Sequence, residues 1–254
     1  MIGSFNFNGV ESDTFKLVCK SIKRPLLPAV KIKRIDLPGS SGVYDFEDNE
    51  YSLRTITMRV VYLGTSFLEL RSRARSISAW LSTPTWARLI LHDEPSRYYL
   101  AKVTSEIDLS SLQEAGEAQI TFDCQPFAYG VNEVIKTFNT TIPTTFNFYN
   151  PGTRMINYRS PYGSKFNITI TGVWSMLSLS MNGETLNYTN AEFNKTLILN
   201  NIEMEATIDN NNRFFMLTGS IDSFLKIIPG NNILDIGGAG LNVLVTINFI
   251  PMWI

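Results

Sequence analysis

From residue 118 to residue 124 every second side chain is apolar. Ala118, Ile120, Phe122 and Cys124 alternate with Gln119, Thr121 and Asp123, the period-two pattern of a strand with one face in a core. Residues 52–63 alternate in the same way, with Arg54, Ile56, Met58 and Val60 on one side and Leu53, Thr55, Thr57 and Arg59 on the other. Two apolar runs within 86–107 flank the polar turn "HDEPS" and predict a hairpin, because Pro95 fixes φ and Asp93 can bond the local backbone. Between these strands the period changes. Phe67, Leu70, Ala74, Ile77 and Leu81 recur every three or four positions, which predicts an amphipathic helix over 66–82. Ser66 and Glu69 fit a capping box, and Pro84 stops the helix. The first half therefore reads as an α+β domain, a sandwich- or barrel-like body with hairpins and one helix.

The second half shows no such helix. Runs such as "KFNITITGVW", "LSLSMNG", "RFFMLTG" and "LNVLVTINFI" are broken by Asn/Gly/Pro turns about every ten residues, the spacing of a β-sandwich or jelly roll. "MNGE" (181–184) and "DNNN" (209–212) suit hairpin turns, since Asn and Gly tolerate positive φ. Composition shifts with the pattern. Residues 1–130 hold 15 basic and 15 acidic side chains and 3 asparagines, against 7, 8 and 19 in residues 131–254. The Thr/Pro-rich stretch "TTIPTTFNFYNPGT" reads as a connection, and the expected domains are 1–133 and 134–254. The whole chain is expected to be mainly β.

Charge and chemistry narrow the function more by exclusion than by motif. A net charge of −1 over 254 residues gives no global attraction to nucleic acid or acidic membranes. The start lacks a secretory pattern and no run is long enough to span a bilayer, so synthesis in the cytoplasm without membrane insertion is expected. Two cysteines and one histidine leave no ordinary zinc set, and no cofactor is implied. Cys124 lies on the apolar row of its strand, the place of a core thiol rather than a nucleophile. His92, the one histidine, sits in a turn beside Asp93 and Glu94. A cysteine or serine hydrolase is the weakest reading.

"LPGSSGVY" (37–44) lacks phosphate-loop spacing and reads as a glycine turn, and "GGAGLN" (237–242) fails the same test because the run after it, "VLVTINFI", is strand-like. The basic cluster Lys20, Lys23, Arg24, Lys31, Lys33 and Arg34 reads as a solvated or subunit-contacting face more than a phosphate contact. Asn139, Asn167, Asn187 and Asn194 head Asn-x-Thr sequons that the composition alone accounts for. Trp174, Tyr188 and Phe214 offer an alternative role, a stacking platform for host cell-wall sugars.

The order of several short segments resembles the distal tail protein (Dit) family of long, non-contractile-tailed bacteriophages, of the kind carried by Bacillus phages of the SPP1 type. They are "FNFNG" (5–9), "KRIDLPGSSGVYDF" (33–46), "YSLRTITMRV" (51–60), the helix, "HDEPSRYYLAKV" (92–103), "FDCQPFAYG" (122–130) and "FLKIIPGNNILDI" (224–236). Signature positions are Pro38, Gly39, Gly42, Cys124, Pro126 and Phe127. The chain departs from many members in carrying Ser40 and Ser41 between the glycines.

The resemblance implies a virion protein without catalytic residues. It implies a homo-oligomeric ring of six copies at the distal end of the tail tube, with galectin-like second domains projecting outward. The ring joins the tail tube protein to a tail-tip fibre or tail-associated lysin at the baseplate, and DNA passes through its channel without sequence-specific binding. A closed head-to-tail ring needs two different complementary patches. Candidates for them are Lys31, Lys33 and Arg34 in the basic segment, Arg71, Arg73 and Arg75 on the helix, and His92 and Arg97 in the turn.

Overall fold

The alternating segments are strands, and the order in which they pair sets the architecture of each half. In the computed structural model, which describes residues 3–32, 34–36, 38–39, 41–45, 50–64, 67–106 and 117–254, the chain divides into two compact units. These are Met1–Ala128 with Ile254, and Tyr129–Trp253.

The first unit contains, in chain order, β1 (Asn6–Phe7), β2 (Val10–Glu11), β3 (Leu17–Lys23), β4 (Arg34–Asp36), β5 (Val43–Asp45), β6 (Arg54–Tyr62), α1 (Phe67–Leu81), β7 (Ala87–Ile90), β8 (Arg97–Val103) and β9 (Glu117–Cys124). Seven of them form an antiparallel sheet in the order β2-β1-β7-β8-β9-β6-β3. The register of β6 on β9 sets Ile56, Met58 and Val60 opposite Phe122, Ile120 and Ala118, and all six are buried. One row of the ladder is different in kind, with Arg54 opposite Cys124.

Helix α1 closes the core through Trp80, three positions after Ile77 and absent from the apolar row given above. Its ring stacks on Phe5 and Phe15, meets Phe7 edge-on, and its indole N–H donates to the Phe7 carbonyl at 2.8 Å. Phe5 and Phe7 in turn meet Phe122 edge-on. Ser66 of the expected capping box lies outside the described residues. Glu69, its proposed partner, is engaged by Lys16 at 2.7 Å and Arg73 at 3.3 Å.

The second unit begins in β10 (Ala128–Gly130) and continues through β11 (Val134–Thr140), β12 (Thr144–Asn150), β13 (Phe166–Trp174), β14 (Met176–Met181), β15 (Glu184–Tyr188), β16 (Glu192–Asn200), β17 (Glu205–Ile208), β18 (Asn211–Asn212), β19 (Leu217–Gly219), β20 (Gly230–Ala239), β21 (Asn242–Phe249) and β22 (Met252–Trp253). Two sheets carry its core, β11-β21-β13-β16-β17-β18 and β12-β20-β14-β15-β19. The Thr/Pro-rich stretch is therefore not a connection. Its Thr and Phe residues favour extended backbone, and β11 and β12 add one edge strand to each sheet. The units divide in sequence at Ala128/Tyr129.

Asn182–Gly183 and Asp209–Asn210 both turn with positive φ and close the β14–β15 and β17–β18 hairpins, as their sequences predict. The asparagine excess also has a structural cause. Buried Asn232 accepts from the Ile228 N–H and the Asn182 amide, and donates to the Ile228 and Gly230 carbonyls. Buried Asn150 donates to Ile228 and accepts from the Gly152 N–H. Asn201 accepts from the Leu225 N–H. These amides satisfy the irregular backbone around 224–232, which would otherwise be buried with orphan donors and acceptors.

Candidate assembly surface

The sequence between β3 and β6 leaves the sheet as an arm. Its root is a short ladder: Val30 bridges Tyr51, the Lys31 N–H donates to the Glu50 carbonyl, and the Ser52 N–H donates to the Ala29 carbonyl. Its outer part is the β4–β5 ribbon, with Arg34, Ile35 and Asp36 opposite Asp45, Tyr44 and Val43. Pro38, Gly39 and Gly42 lie in the exposed tip, where positive φ at both glycines reverses the chain. The arm presents apolar side chains to solvent. Leu26 is 94% exposed, Tyr44 56% and Leu27 and Ile32 55% each, with Val30 and Ile35 also exposed. Fully burying an exposed leucine such as Leu26 contributes about 1.5–3 kcal/mol.

At the root the basic segment and the 92–97 turn come together. Arg24 bonds Glu94 at 2.9 Å and Asp93 at 3.3 Å, and Arg97 also pairs with Glu94. The Arg24 and Arg54 guanidiniums lie 5.9 and 5.6 Å from the Tyr99 ring centre. Burial pushes the Tyr99 hydroxyl above its ordinary pKa. Lys31 pairs with Glu50 at 3.1 Å, and exposed Arg34 lies in the ribbon. Lys33 lies outside the described residues. His92 is half-buried, its ring lying over Gly3, where an added Cβ would come within 2.6 Å of the imidazole.

The helix arginines form a separate group. Arg73 turns back to Glu69 and to the Thr14 carbonyl, whereas Arg71 and Arg75 are exposed. Sequence reasoning missed the exposed apolar residues of the arm. The interruption by Pro25 and Pro28 was the available signal, because neither a helix nor a ladder strand would run through both.

Cys124 is fully buried, and burial together with the neighbouring Asp123 charge drives its thiol far above the ordinary range. A group so placed has no thiolate to offer as a nucleophile. Gln125 donates to the Leu100 carbonyl after β9 ends, and Pro126 and Phe127 are buried. Phe127 meets Tyr51 edge-on, so the signature segment packs against the arm's root. Among the described residues no cluster of His, Cys, Asp and Glu could hold a metal ion, and no helix is long and apolar enough to cross a membrane.

Two of the three residues of the expected sugar platform are not on the surface, and the third, Phe214, is half-buried and stacked on Phe224. Trp174 and Tyr188 are buried and pack edge-on with centroids 6.1 Å apart, and Tyr188 donates its hydroxyl to Glu192. Their place inside the sandwich follows from strand alternation, which turns both toward the core.

The fold thus defines a class: a mainly β, two-unit protein whose first unit extends an apolar arm. Residues 14–124 match the family described as the phage tail protein RIFT-related domain. Over its whole length the chain is similar to the crystal structure of SPP1 Dit, described as a paradigm of the hub adsorption apparatus in phages infecting Gram-positive hosts. The TM-score is 0.75 and the identity 16%, with 100% of each chain covered. No curated protein sequence matches. The resemblance to distal tail proteins and the mainly β fold are both borne out.

Proposed function

We propose that the chain is a structural subunit of a phage tail that assembles as a hub at the distal end of the tail tube. Its first unit forms a closed ring, six copies around a channel that passes DNA. Its second unit projects outward, and the ring joins the tail tube protein to a tail-tip fibre or tail-associated lysin. It works through surfaces, not turnover.

The observation that carries this reading is the apolar arm on a fold shared from end to end with a tail hub protein. A head-to-tail ring needs one protruding patch and a different receiving patch on the next copy. The arm supplies the first. The helix face bearing Arg71 and Arg75 and the turn 92–97 are the proposed receiving elements.

Light scattering after size exclusion, followed by negative-stain electron microscopy, tests it. The expected result is a six-fold ring with a central hole, dispersed by Leu26→Asp with Tyr44→Asp. A wild-type chain that stays monomeric at high concentration would remove the ring and the hub role together.

A further inference from the structure

Arg54 is a buried charge left without an ion partner among the described residues. The residue is only 4% exposed, yet Nε and Nη2 have no hydrogen-bond partner, and Nη1 donates to the Pro25 carbonyl at a long 3.3 Å. Among the described residues the Tyr99 ring compensates it, and a cation over an aromatic face replaces only part of the lost hydration. No carboxylate pairs with it among the described residues, although Lys20, Arg24, Lys31, Arg73 and Arg97 all have one. The row it occupies is otherwise apolar, with Ile56, Met58 and Val60 following on the same face. An apolar residue would suit this position better in a monomer.

Residues 24–27 form a strap that meets Arg54 through the Pro25 carbonyl, with Pro25, Leu26 and Leu27 all exposed and with Arg24 fastened to Asp93 and Glu94. The strap leads into the arm's root, so a neighbour that buries Leu26 and Leu27 also acts on the Pro25 contact with Arg54.

We propose that Arg54 is a socket for a carboxylate of a neighbouring copy. On assembly the strap shifts, the weak Pro25 contact is given up, and the planar guanidinium takes the incoming carboxylate through Nε and Nη2, the two donors left unpaired in the single chain. Such a fork-to-carboxylate pair is strong and geometrically exacting when dry, so it sets the register of each copy on the next. The inference rests on the ring reading above and adds to it the chemistry of one contact.

The test compares wild type, Arg54→Met and Arg54→Lys by sedimentation for association and by thermal unfolding for the monomer. Arg54→Met is expected to fold with an unchanged or higher Tm and to associate at least tenfold more weakly. Arg54→Lys is expected to recover only part of that loss, since an ammonium cannot offer the fork. Wild-type association by Arg54→Met overturns the socket, and so does a fall in Tm with association unchanged. If Arg54→Met does not fold, hydrogen exchange on the wild type decides. The Leu26 and Leu27 amides should exchange freely in the dilute monomer and become protected in the assembly, and equal rates in both overturn the proposal. A wild type that never assembles removes the hub reading as well, whereas a ring indifferent to Arg54 removes only the socket.

Discussion

The Arg24 guanidinium donates to the Glu94 carboxylate at 2.9 Å, and this bond, with a longer one to Asp93, fastens the start of the arm to the hairpin turn seventy residues on. Glu94 also receives Arg97 and lies 3.5 Å from the Tyr99 hydroxyl, so it is the hub of the cluster. Both Arg24 and Glu94 are mostly covered, which makes the pair stronger than a surface ion pair but still modest, about 1–2 kcal/mol. Glu94→Ala should loosen the strap without unfolding the unit. Limited proteolysis should then cut within 24–32 several-fold faster while the unfolding midpoint drops only slightly. Unchanged cleavage would show that the strap is held by something else.

Trp80 joins the helix to Phe5, Phe7 and Phe15 by ring contacts and to the Phe7 carbonyl by a hydrogen bond. Trp80→Ala should cost about 3–5 kcal/mol, since it opens a large cavity among Phe5, Phe7 and Phe15 and orphans a buried carbonyl. Trp80→Phe retains much of the stacking and should cost clearly less. Denaturant unfolding of the two variants measures the difference, and equal losses would mean that ring packing contributes little.

The two thiols make a chemical prediction. Burial raises both Cys19 and Cys124 above the ordinary cysteine value, Cys124 by far the more. Thiolate is therefore scarce on either side chain near neutral pH. Native protein should resist iodoacetamide at pH 8 and consume two equivalents only in denaturant. Cys124→Ala should lose about 1–2 kcal/mol and keep its assembly. Rapid labelling of the folded chain would place Cys124 outside the core.

How much of this was legible in the sequence depends on whether a residue follows local period or distant packing. The alternation in β6 and β9 and the helical spacing of α1 are local, and each appears where the pattern puts it. The helical row read through Ile77 and Leu81 leaves out Trp80, which lies three positions after Ile77 and fits the spacing equally well, and its aromatic partners Phe5, Phe7 and Phe15 are distant in sequence. The stretch 134–150 misleads because Thr, Asn and Pro signal turns in composition while Thr and Phe pair well as edge strands. The row containing Arg54 could be read from alternation, but its burial without an ion partner among the described residues required the fold of the strap. The arm itself was hidden, since exposed leucines and isoleucines look like core until the ladder is seen to leave the body.

Gly238 tests the sandwich. It lies in β20 at φ 133°, and an added Cβ would come 2.0 Å from the Met176 carbonyl across the ladder. Backbone cannot give way there without breaking the β14–β20 pairing. Gly238→Ala combines a strained φ with a backbone clash and should destabilise the second unit by about 2–4 kcal/mol. Asn182 and Gly183 form a turn with open space around the glycine, so Gly183→Ala should cost only the strain of positive φ, about 1 kcal/mol. Similar midpoints for the two variants in the isolated transition would contradict the close approach at Gly238.

Alkaline unfolding should report on the interior of the same sandwich. Tyr188 is pushed up to about 12, chiefly by burial and then by the Glu192 carboxylate that accepts its hydroxyl hydrogen bond. An unfolded tyrosine ionises near 10. Between about pH 10 and 12 the unfolded chain has released this proton and the folded chain still holds it. Stability must therefore fall as pH rises through that window, and below pH 10 the group contributes no slope. Tyr188→Phe removes the proton and should flatten this part of the alkaline limb, while lowering stability slightly at neutral pH through the lost bond to Glu192. Unfolding midpoints measured at intervals from pH 9 to 12 on both proteins give the comparison, and parallel curves would show that Tyr188 is open to water and that the sandwich core is not closed around it.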